Sequence, residues 1–391
     1  MGDPAAFLDR HWARSPLHLP GNDPSAFAAL FTLDDVDHLV ASSFARTPTF
    51  RLVRDGSPLP PSRYTRTARV GGQDVPGVGD PRRVLHEFTD GATIVLQGLQ
   101  RYWPPLTDLC RQLELELNFP VQANAYITPP GSQGLAVHYD THDVFVLQVG
   151  GSKEWEIHDP VFPDPLPSQP WASRRREPGP VTMSVKLATG DFLYVPRGFL
   201  HAARAQSDLS AHLTIGIHSE TRFDVLGHVL EGAAEAVGFR RTLPAGWAGD
   251  EEALAKEVEM SIADLRSWLD TVDARAVAAG TVARFWAGRA AILPGQLHSV
   301  LSVAALTDDT GLRRRPDAVC HLRMQDDHLL VVLGQRDLRM PAALKPVMQR
   351  VAAATQPFTP ADLADVMDEE SRLVLARRLV REGLLQIVPD G

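Results

Sequence analysis

Residues 138–149, His-Tyr-Asp-Thr-His-Asp-Val-Phe-Val-Leu-Gln-Val, combine two metal-binding side chains with an apolar, β-branched run. Residues i and i+2 of a strand point to the same side, so His138 and Asp140 can reach one ion together. A lone histidine, His201, follows a second strand-like run at 190–196. Two histidines and one carboxylate are the ligand set of non-haem Fe(II) oxygenases, in which coordination positions stay open. The pattern therefore predicts a metal site that these three side chains share.

Short strand-like runs surround this motif and predict the fold class. Residues 121–128 end at the turn residues 129–131, and a final strand is predicted at 211–217. The glycines at 150–151 predict a tight reversal into a further strand at 153–157. Short strands with turns at this density are typical of a barrel or a sandwich. With metal ligands facing inward, they predict a cupin or jelly-roll barrel.

Several segments in this region resemble the JmjC-type ribosomal protein hydroxylases, namely 124–134, 138–140, 145–148 and 153–155. The resemblance is dense from about 102 to 218 and weaker outside. It implies an α+β chain in which a double-stranded β-helix (cupin, JmjC) barrel precedes a helical region and a C-terminal winged-helix domain. It also implies an Fe(II)- and 2-oxoglutarate-dependent oxygenase that hydroxylates an Arg or His side chain of a ribosomal protein.

The resemblance assigns roles to individual residues, with no catalytic group beyond the metal ligands. The matched iron ligands are His138, Asp140 and His201, and Lys153 matches the basic residue that binds the distal carboxylate of 2-oxoglutarate. Two polar residues match the lining of that pocket, Asn124 and Tyr126. Gly216 stands where some relatives offer a serine hydroxyl to the cosubstrate, and Thr214, on the same face, is expected to compensate.

Each of these residues also has a structural interpretation. Lys153 could be a solvated lysine of the predicted hairpin, and Asn124 and Tyr126 could satisfy buried backbone groups. His142 continues the i, i+2, i+4 series, but a rise of about 3.3 Å per residue puts it roughly 13 Å along the strand from the first ligand. It is therefore expected at the rim of the site, and His212 is expected to be structural.

The composition is that of an ordinary globular protein. The 391 residues are 44% hydrophobic and 22% charged, which suits two or three domains. Two distant cysteines, Cys110 and Cys320, make neither a disulfide framework nor a zinc pattern. The beginning lacks the features of a signal peptide, and no apolar run approaches the roughly 20 residues of a membrane helix. A cytoplasmic location is therefore predicted.

The organisation is predicted in three parts, a barrel with an N-terminal buttress at 1–221, a helical region at 222–296 and a winged helix at 297–391. The proline-rich insert at 159–180 carries three consecutive arginines, 174–176. It is interpreted either as a loop over the mouth that gates or binds substrate, or as a passive surface loop. The helical region either pairs with its twin in a homodimer or covers the barrel of its own chain.

The net charge of the chain indicates which binding partners to expect. A net charge of −9 argues against a broad phosphate-binding surface and is compatible with a basic protein partner such as a ribosomal protein. From residue 306 to the end the chain has 12 basic and 13 acidic residues, a net charge of 12 − 13 = −1. A recognition helix normally lies on a basic face, so the winged helix is predicted to dock protein or to be structural, and nucleic acid is not expected as a partner.

Four alternative functions stay open on the sequence. A protein demethylase or a peptide-tailoring hydroxylase would use the same site chemistry. A metal-binding cupin without oxygenase activity would bind metal and show no need for 2-oxoglutarate. A non-catalytic scaffold would use the winged helix on nucleic acid.

Overall fold

The computed structural model describes residues 3–41, 45–174 and 176–388 and divides the chain into two units, Met1–Ser219 and Glu220–Gly391. The division falls two residues from the predicted boundary after residue 221. The predicted helical and winged-helix parts lie together in the second unit. Arg175 of the predicted arginine run lies outside the described residues.

Strands are the main regular structure of the first unit. The strands are β1 (Leu17–Leu19), β2 (Phe50–Arg54), β3 (Ser57–Pro58), β4 (Thr65–Val70), β5 (Gln73–Gly79), β6 (Thr93–Leu96), β7 (Val121–Thr128), β8 (Asp143–His158), β9 (Val181–Ala188), β10 (Phe192–Val195) and β11 (Leu200–Ile217). The helices are α1 (Pro4–Arg10), α2 (Leu33–Ala41), α3 (Pro81–Thr89), α4 (Pro104–Leu117) and α5 (Trp171–Arg174).

Nine of these strands form one antiparallel sheet within the described part of the unit. Its order is β1-β10-β8-β11-β7-β6-β2-β3, with β9 paired to the C-terminal half of β8. The strand β7 shows why the sheet has two different faces. Its apolar residues Val121, Ala123, Ala125 and Ile127 join the buried core together with Leu106 of α4. The alternate positions, which include Tyr126 and Thr128, lie on the opposite face, as the period of two requires.

The predicted reversal at residues 150–152 is wrong, because β8 continues through it as one strand of 16 residues. The pairing of β8 with β11 shifts register beside Gly151, as in a β-bulge. Gly151 has a φ of +60°, and a Cβ there would lie 1.7 Å from the carbonyl oxygen of Leu209. Glycine is therefore required for the close approach of a neighbouring strand as much as for a turn, and the local sequence alone does not separate the two.

A buried carboxylate links three distant segments of the first unit. Asp143 is fully buried and accepts hydrogen bonds from Tyr194 Oη at 2.7 Å and Ser219 Oγ at 2.9 Å. Tyr194 Oη also accepts a hydrogen bond from the backbone N–H of Ala13 at 2.8 Å. The phenol therefore bonds to a buried carboxylate and to a backbone N–H at once.

We expect Tyr194→Phe to lower the free energy of unfolding by about 1–3 kcal/mol, because a buried carboxylate loses a donor and a backbone N–H loses its acceptor. Urea denaturation would measure the change. Tyr102→Phe removes a hydroxyl from a tyrosine that is 41% exposed and serves as the matched control. Equal unfolding midpoints for the two variants would contradict the prediction.

The described part of the second unit begins with four α-helices and continues with small sheets and two further α-helices. The helices are α6 (Arg222–Ala233), α7 (Glu251–Leu269), α8 (Ala274–Ala287), α9 (Gln296–Ser302), α10 (Lys345–Ala353) and α11 (Glu369–Arg381). The strands are β12 (Leu312–Arg314), β13 (His321–Gln325), β14 (His328–Val332), β15 (Asp337–Pro341) and β16 (Leu385–Ile387).

Burial within this unit is uneven. Residues of β14, β15, α10 and α11 form a hydrophobic core that includes Leu329, Met348 and Leu379. By contrast, α7 and α8 contain no buried residue, although both helices are described in full. Within the described part of the chain, none of the helices combines the length and the apolar composition that crossing a membrane would require.

Candidate metal centre

The three predicted metal ligands converge through a local pairing of two segments. His138 lies in the connection between β7 and β8, and His201 is the second residue of β11. Their backbones form an isolated antiparallel bridge, in which His138 N–H donates to His201 O at 3.1 Å and His201 N–H donates to His138 O at 2.8 Å. The prediction that His138 and Asp140 lie within a strand is wrong, since β8 begins at Asp143.

The ligand atoms of His138, Asp140 and His201 lie within 4.8 Å of one another. His138 Nε2 is 3.9 Å from Asp140 Oδ1, and His201 Nε2 is 3.7 Å from Asp140 Oδ2. Each imidazole is oriented from its other nitrogen, because Nδ1 of His138 contacts Ala136 O at 2.7 Å and Nδ1 of His201 contacts Phe199 O at 3.1 Å. With Nδ1 as the donor, Nε2 of both rings has a free lone pair, which is the tautomer that a metal requires.

The charge states also suit a metal. Burial lowers the pKa of His201 to about 4, so this imidazole is neutral at physiological pH. Burial alone would raise the pKa of Asp140, but the neighbouring His138, His142, His201 and His218 lower it below its ordinary value. Metal ligands must be deprotonated, and an ionised carboxylate beside a neutral imidazole meets this condition. The residues present therefore fit a divalent metal ion.

The three ligands share one cavity with a buried lysine. Its lining, besides the ligands, is Thr93, Tyr126, Gly134, Leu135, Val144, Lys153, Trp155, Ala203, His212 and Thr214. Lys153 is 3% exposed and donates from Nζ to Thr128 Oγ1 at 3.1 Å. Loss of solvation lowers the pKa of Lys153 to about 7. No ion pair of Lys153 is found among the described residues, so this cation has the chemistry to receive a carboxylate from outside the chain.

Two of the predicted pocket residues line the cavity and a third does not. Tyr126 and Thr214 are in the lining, and burial together with the charge of Asp140 raises the pKa of the Tyr126 phenol to about 12. Asn124 lies on the same face, but its Oδ1 accepts hydrogen bonds from Gly98 N–H at 3.0 Å and Gln122 Nε2 at 3.3 Å. The structure therefore gives Asn124 a role in holding the backbone at Gly98 instead of lining the cavity.

Some residues in or directly behind the cavity wall were not predicted from the sequence. Thr128 accepts hydrogen bonds from both Lys153 and Thr93, the latter at 3.1 Å between the two Oγ1 atoms. It stands two residues after Tyr126, so the period of a strand was a signal that could have included it. His212, expected to be structural, stacks on Tyr126 with ring centroids 5.2 Å apart. Burial and the charge of Lys153 hold the pKa of His212 well below its usual value, so the ring is a neutral wall of the cavity.

The remaining histidines lie beside the ligand cluster and outside it. His142 stacks on His218 with ring centroids 4.9 Å apart, and neither belongs to the group of ligand atoms. An ideal Cβ at Gly216 would lie 2.8 Å from Cδ2 of His142. The absence of a serine at position 216 therefore has a steric reason in this chain, since His142 occupies the space next to Gly216.

Comparisons with known proteins show which family and which solved structures this chain resembles. Residues 99–225 match the model of the JmjC domain. Ribosomal oxygenase 1 of Gallus gallus is 31% identical over 250 residues, which cover 62% of this chain and 40% of that protein. The bifunctional lysine-specific demethylase and histidyl-hydroxylase NO66 of Dictyostelium discoideum is 30% identical over 247 residues, covering 61% of this chain and 46% of that protein. The chain thus spans less than half the length of these relatives.

Solved structures resemble the chain over nearly its whole length. The crystal structure of the Escherichia coli ribosomal oxygenase YcfD has a TM-score of 0.54 at 16% identity and covers 99% of both chains. The same protein in complex with cobalt and 2-oxoglutarate has a TM-score of 0.54 at 16% identity and covers 98% of both. The predicted class, a cupin-like JmjC fold of the α+β type, is confirmed.

Proposed function

We propose that this chain, whose residues 99–225 form a JmjC domain, is an Fe(II)- and 2-oxoglutarate-dependent oxygenase that hydroxylates a protein side chain. One observation carries the proposal. The ligand atoms of His138, Asp140 and His201 converge within 4.8 Å in a cavity that also holds the buried cation of Lys153. A facial triad beside a single buried cation suits a metal together with a dicarboxylate cosubstrate.

In this proposal the metal-binding and polar residues of the site have separate physical tasks. His138, Asp140 and His201 hold the metal, and Lys153 with Thr128 binds the distal carboxylate of 2-oxoglutarate. When bound, iron and 2-oxoglutarate supply the oxidation of a C–H bond by dioxygen, with release of succinate and carbon dioxide. The chain itself contributes ligation, orientation and walls that exclude water. Tyr126 remains a protonated hydroxyl at physiological pH and can donate a hydrogen bond into the cavity.

The substrate that we propose is an Arg or His side chain of a ribosomal protein. Two of the relatives are named ribosomal oxygenases, and the NO66 protein is named both a histidyl-hydroxylase and a demethylase. The acidic net charge of this chain, −9, complements a basic ribosomal protein. Demethylation and tailoring of a small peptide are the alternatives within the same site chemistry, and a cupin without oxygenase activity is the alternative outside it.

The test is succinate formation from 2-oxoglutarate by the purified protein with Fe(II) and oxygen, with and without an extract of ribosomal proteins. We expect succinate to depend on iron, to disappear with a chelator and to return when Fe(II), but not Mg²⁺, is restored. Mass spectrometry of the extract would show the gain of one oxygen atom on a hydroxylated peptide, or the loss of a methyl group for a demethylase. Bound iron without any succinate would favour the non-oxygenase cupin.

We also propose that the helical region pairs with a second copy of the chain. The helix α6 presents Phe223, Leu226 and Leu230 at 64%, 58% and 50% exposure, and α7 adds Val258 and Ile262. Adjacent exposed apolar side chains of this size mark interaction surfaces in soluble proteins. The resemblance to a family with a helical dimerisation region supports a homodimer over another partner.

Light scattering after size-exclusion chromatography would measure this association. We expect the mass of a dimer for the wild type, twice 42.8 kDa, and a shift toward the monomer for Leu226→Asp, because a charge would be buried at the interface. Lys256→Asp changes an exposed charge on α7 and is the control. A monomeric wild type would refute the dimer.

For the C-terminal part we propose a winged helix that docks protein, and for the whole chain a cytoplasmic location. The helices α9, α10 and α11 with the three-stranded sheet β13-β14-β15 support the winged helix. Arg372, on α11, is 8% exposed and its guanidinium is paired with Asp308, so it does not face a phosphate. The pairing supports a partner other than nucleic acid.

A further inference from the structure

The proline-rich insert at 159–180 connects β8 to β9 beside the metal centre. It contains seven prolines in 22 residues and one short helix, α5. The stem of the insert is closed by a contact of 2.7 Å between Nδ1 of His158 and the carbonyl oxygen of Gly179. The sequence left open whether this insert is a moving gate or a passive loop, and its contacts in the structure indicate a third role.

The first contact joins the insert to the residue between two metal ligands. Tyr139 separates His138 from Asp140 and is 2% exposed. Its hydroxyl donates a hydrogen bond to the carbonyl oxygen of Gln169 at 2.8 Å. Its ring packs edge-to-face on Trp171, with centroids 5.3 Å apart. The side chain that points away from the metal centre is therefore held by the insert at both its polar and its aromatic parts.

The second contact joins the insert to the segment that leads to the third ligand. Gly198, three residues before His201, has a φ of +85°, and a Cβ there would lie 2.8 Å from Cδ of Pro165 and 3.2 Å from the carbonyl oxygen of Phe162. The N–H of the same Gly198 donates to the carbonyl oxygen of Asp140 at 3.0 Å. The insert therefore packs directly against both ligand-bearing segments, at the place where they bond to each other.

The internal contacts of the insert make it stiff. Leu166 N–H donates to Oε1 of Gln169 at 3.0 Å, and the guanidinium of Arg174 lies 4.9 Å from the centroid of the Phe162 ring. Each proline fixes a φ angle and reduces the conformational entropy that the segment loses on folding. A stiff segment of this kind can hold the residues that it contacts in fixed positions. It is poorly suited to opening and closing.

We propose that the insert is a fixed brace for the metal centre and that Tyr139 is a positioning residue, which sets the separation of His138 and Asp140 through its bond to Gln169. This inference rests on the proposed metal site and adds to it an element outside the set of three ligands. Outer partners orient the ligands of metal sites, and losing one typically costs roughly 10–100-fold in metal affinity. Here the outer partner is the proline-rich insert, which is bonded to Tyr139, the residue between the ligands His138 and Asp140.

The test is the affinity of the full chain for Co(II), followed by its visible absorption, in the wild type, Tyr139→Phe and Trp171→Ala. Tyr139→Phe keeps the ring and removes one hydrogen bond, so we expect binding about three- to tenfold weaker. Trp171→Ala removes the aromatic contact, and we expect a loss of roughly 10–100-fold. Tyr64→Phe is the matched control, because Tyr64 is equally buried and bonds to the backbone of Leu52 away from the triad.

If the contacts of the insert strengthen metal binding, then metal binding must stabilise those contacts by the same free energy. Arg174 and Arg176 are exposed and offer trypsin a cleavage site within it. We expect Co(II) to slow cleavage after these residues in the wild type and to protect Tyr139→Phe less, as followed by mass spectrometry. If Tyr139 had a role in folding alone, protection of the insert from trypsin would not depend on the metal.

The outcomes separate the brace from the proposed function. A wild type that binds no Co(II) would refute the metal site itself. A wild type that binds Co(II), with Tyr139→Phe and Trp171→Ala matching the affinity of Tyr64→Phe, would refute the brace and leave the oxygenase proposal intact. Weaker Co(II) binding in both variants, together with lost protection of the insert by metal in Tyr139→Phe, would establish the brace.

Discussion

Asp140→Ala is expected to abolish metal-dependent succinate formation and to remove high-affinity binding of Fe(II) or Co(II), while the protein stays folded. The carboxylate is the one anionic ligand of the triad, and it lies 3.9 Å and 3.7 Å from the two imidazole nitrogens. Without it, a divalent ion would have two imidazole nitrogens as ligands and no anionic one. The loss should therefore exceed the roughly 10–100-fold that the removal of an outer partner costs.

Metal titration and the succinate assay would measure this effect, and thermal unfolding would show that the fold is retained. His138→Ala should behave in the same way. Asp208→Ala provides the control, since Asp208 is an exposed carboxylate of β11 outside the ligand cluster. Undiminished, iron-dependent succinate formation by Asp140→Ala would rule out the assigned metal site.

Lys153→Met is expected to weaken the binding of 2-oxoglutarate by roughly 30-fold or more, because removing one partner of a buried charge pair costs about 2–5 kcal/mol. The substitution preserves much of the side-chain volume, so packing changes little. Lys153→Arg restores a cation and should recover part of the affinity. Lys186→Met, at an exposed lysine of β9, is the control. Calorimetry on the protein loaded with Co(II) would give the dissociation constants.

The same substitution should have the opposite effect on the stability of the protein without cosubstrate. Burial lowers the pKa of Lys153 to about 7 from an ordinary value of 10.5, so the folded state binds this proton less tightly than the unfolded state. The resulting loss of folding stability is absent above about pH 10.5 and grows as the pH falls toward 7. Lys153→Met should therefore raise the melting temperature at neutral pH. A Met variant that binds 2-oxoglutarate normally would exclude Lys153 from the cosubstrate site.

The affinity for 2-oxoglutarate should also depend on pH in a predictable direction. Below pH 7 Lys153 is already charged, whereas above it the binding of a carboxylate must be accompanied by uptake of a proton. The dissociation constant should therefore rise by about tenfold per pH unit above 7, until the pH reaches the pKa of Lys153 in the complex. An arginine stays charged throughout this range, so Lys153→Arg should lose the dependence. A flat profile in the wild type would contradict the assignment.

The chemistry of the site could be predicted from the sequence because it depends on residue types and on short spacings. His138, Asp140 and His201 were predicted as metal ligands from their chemical character, and the structure brings their ligand atoms within 4.8 Å of one another. The family pattern around Lys153 predicted a cation for a dicarboxylate. The strand predicted at residues 121–128 is present as β7, with its partly exposed residues alternating along one face. Asn124 was misplaced because alternation defines a face and does not define which of its residues reach the cavity.

Other features depended on contacts between residues distant in the chain, and only the tertiary structure decided them. The bridge of His138 to His201 joins segments 63 residues apart, and it replaced the strand that the local pattern predicted. Glycine is required at position 151 because Leu209 approaches it closely from another strand. Local sequence determines which groups are available and which backbone angles are accessible. Which groups meet is decided by the pairing of β8 with β11 and by the packing of the insert, and those energies arise only when the whole sheet has formed.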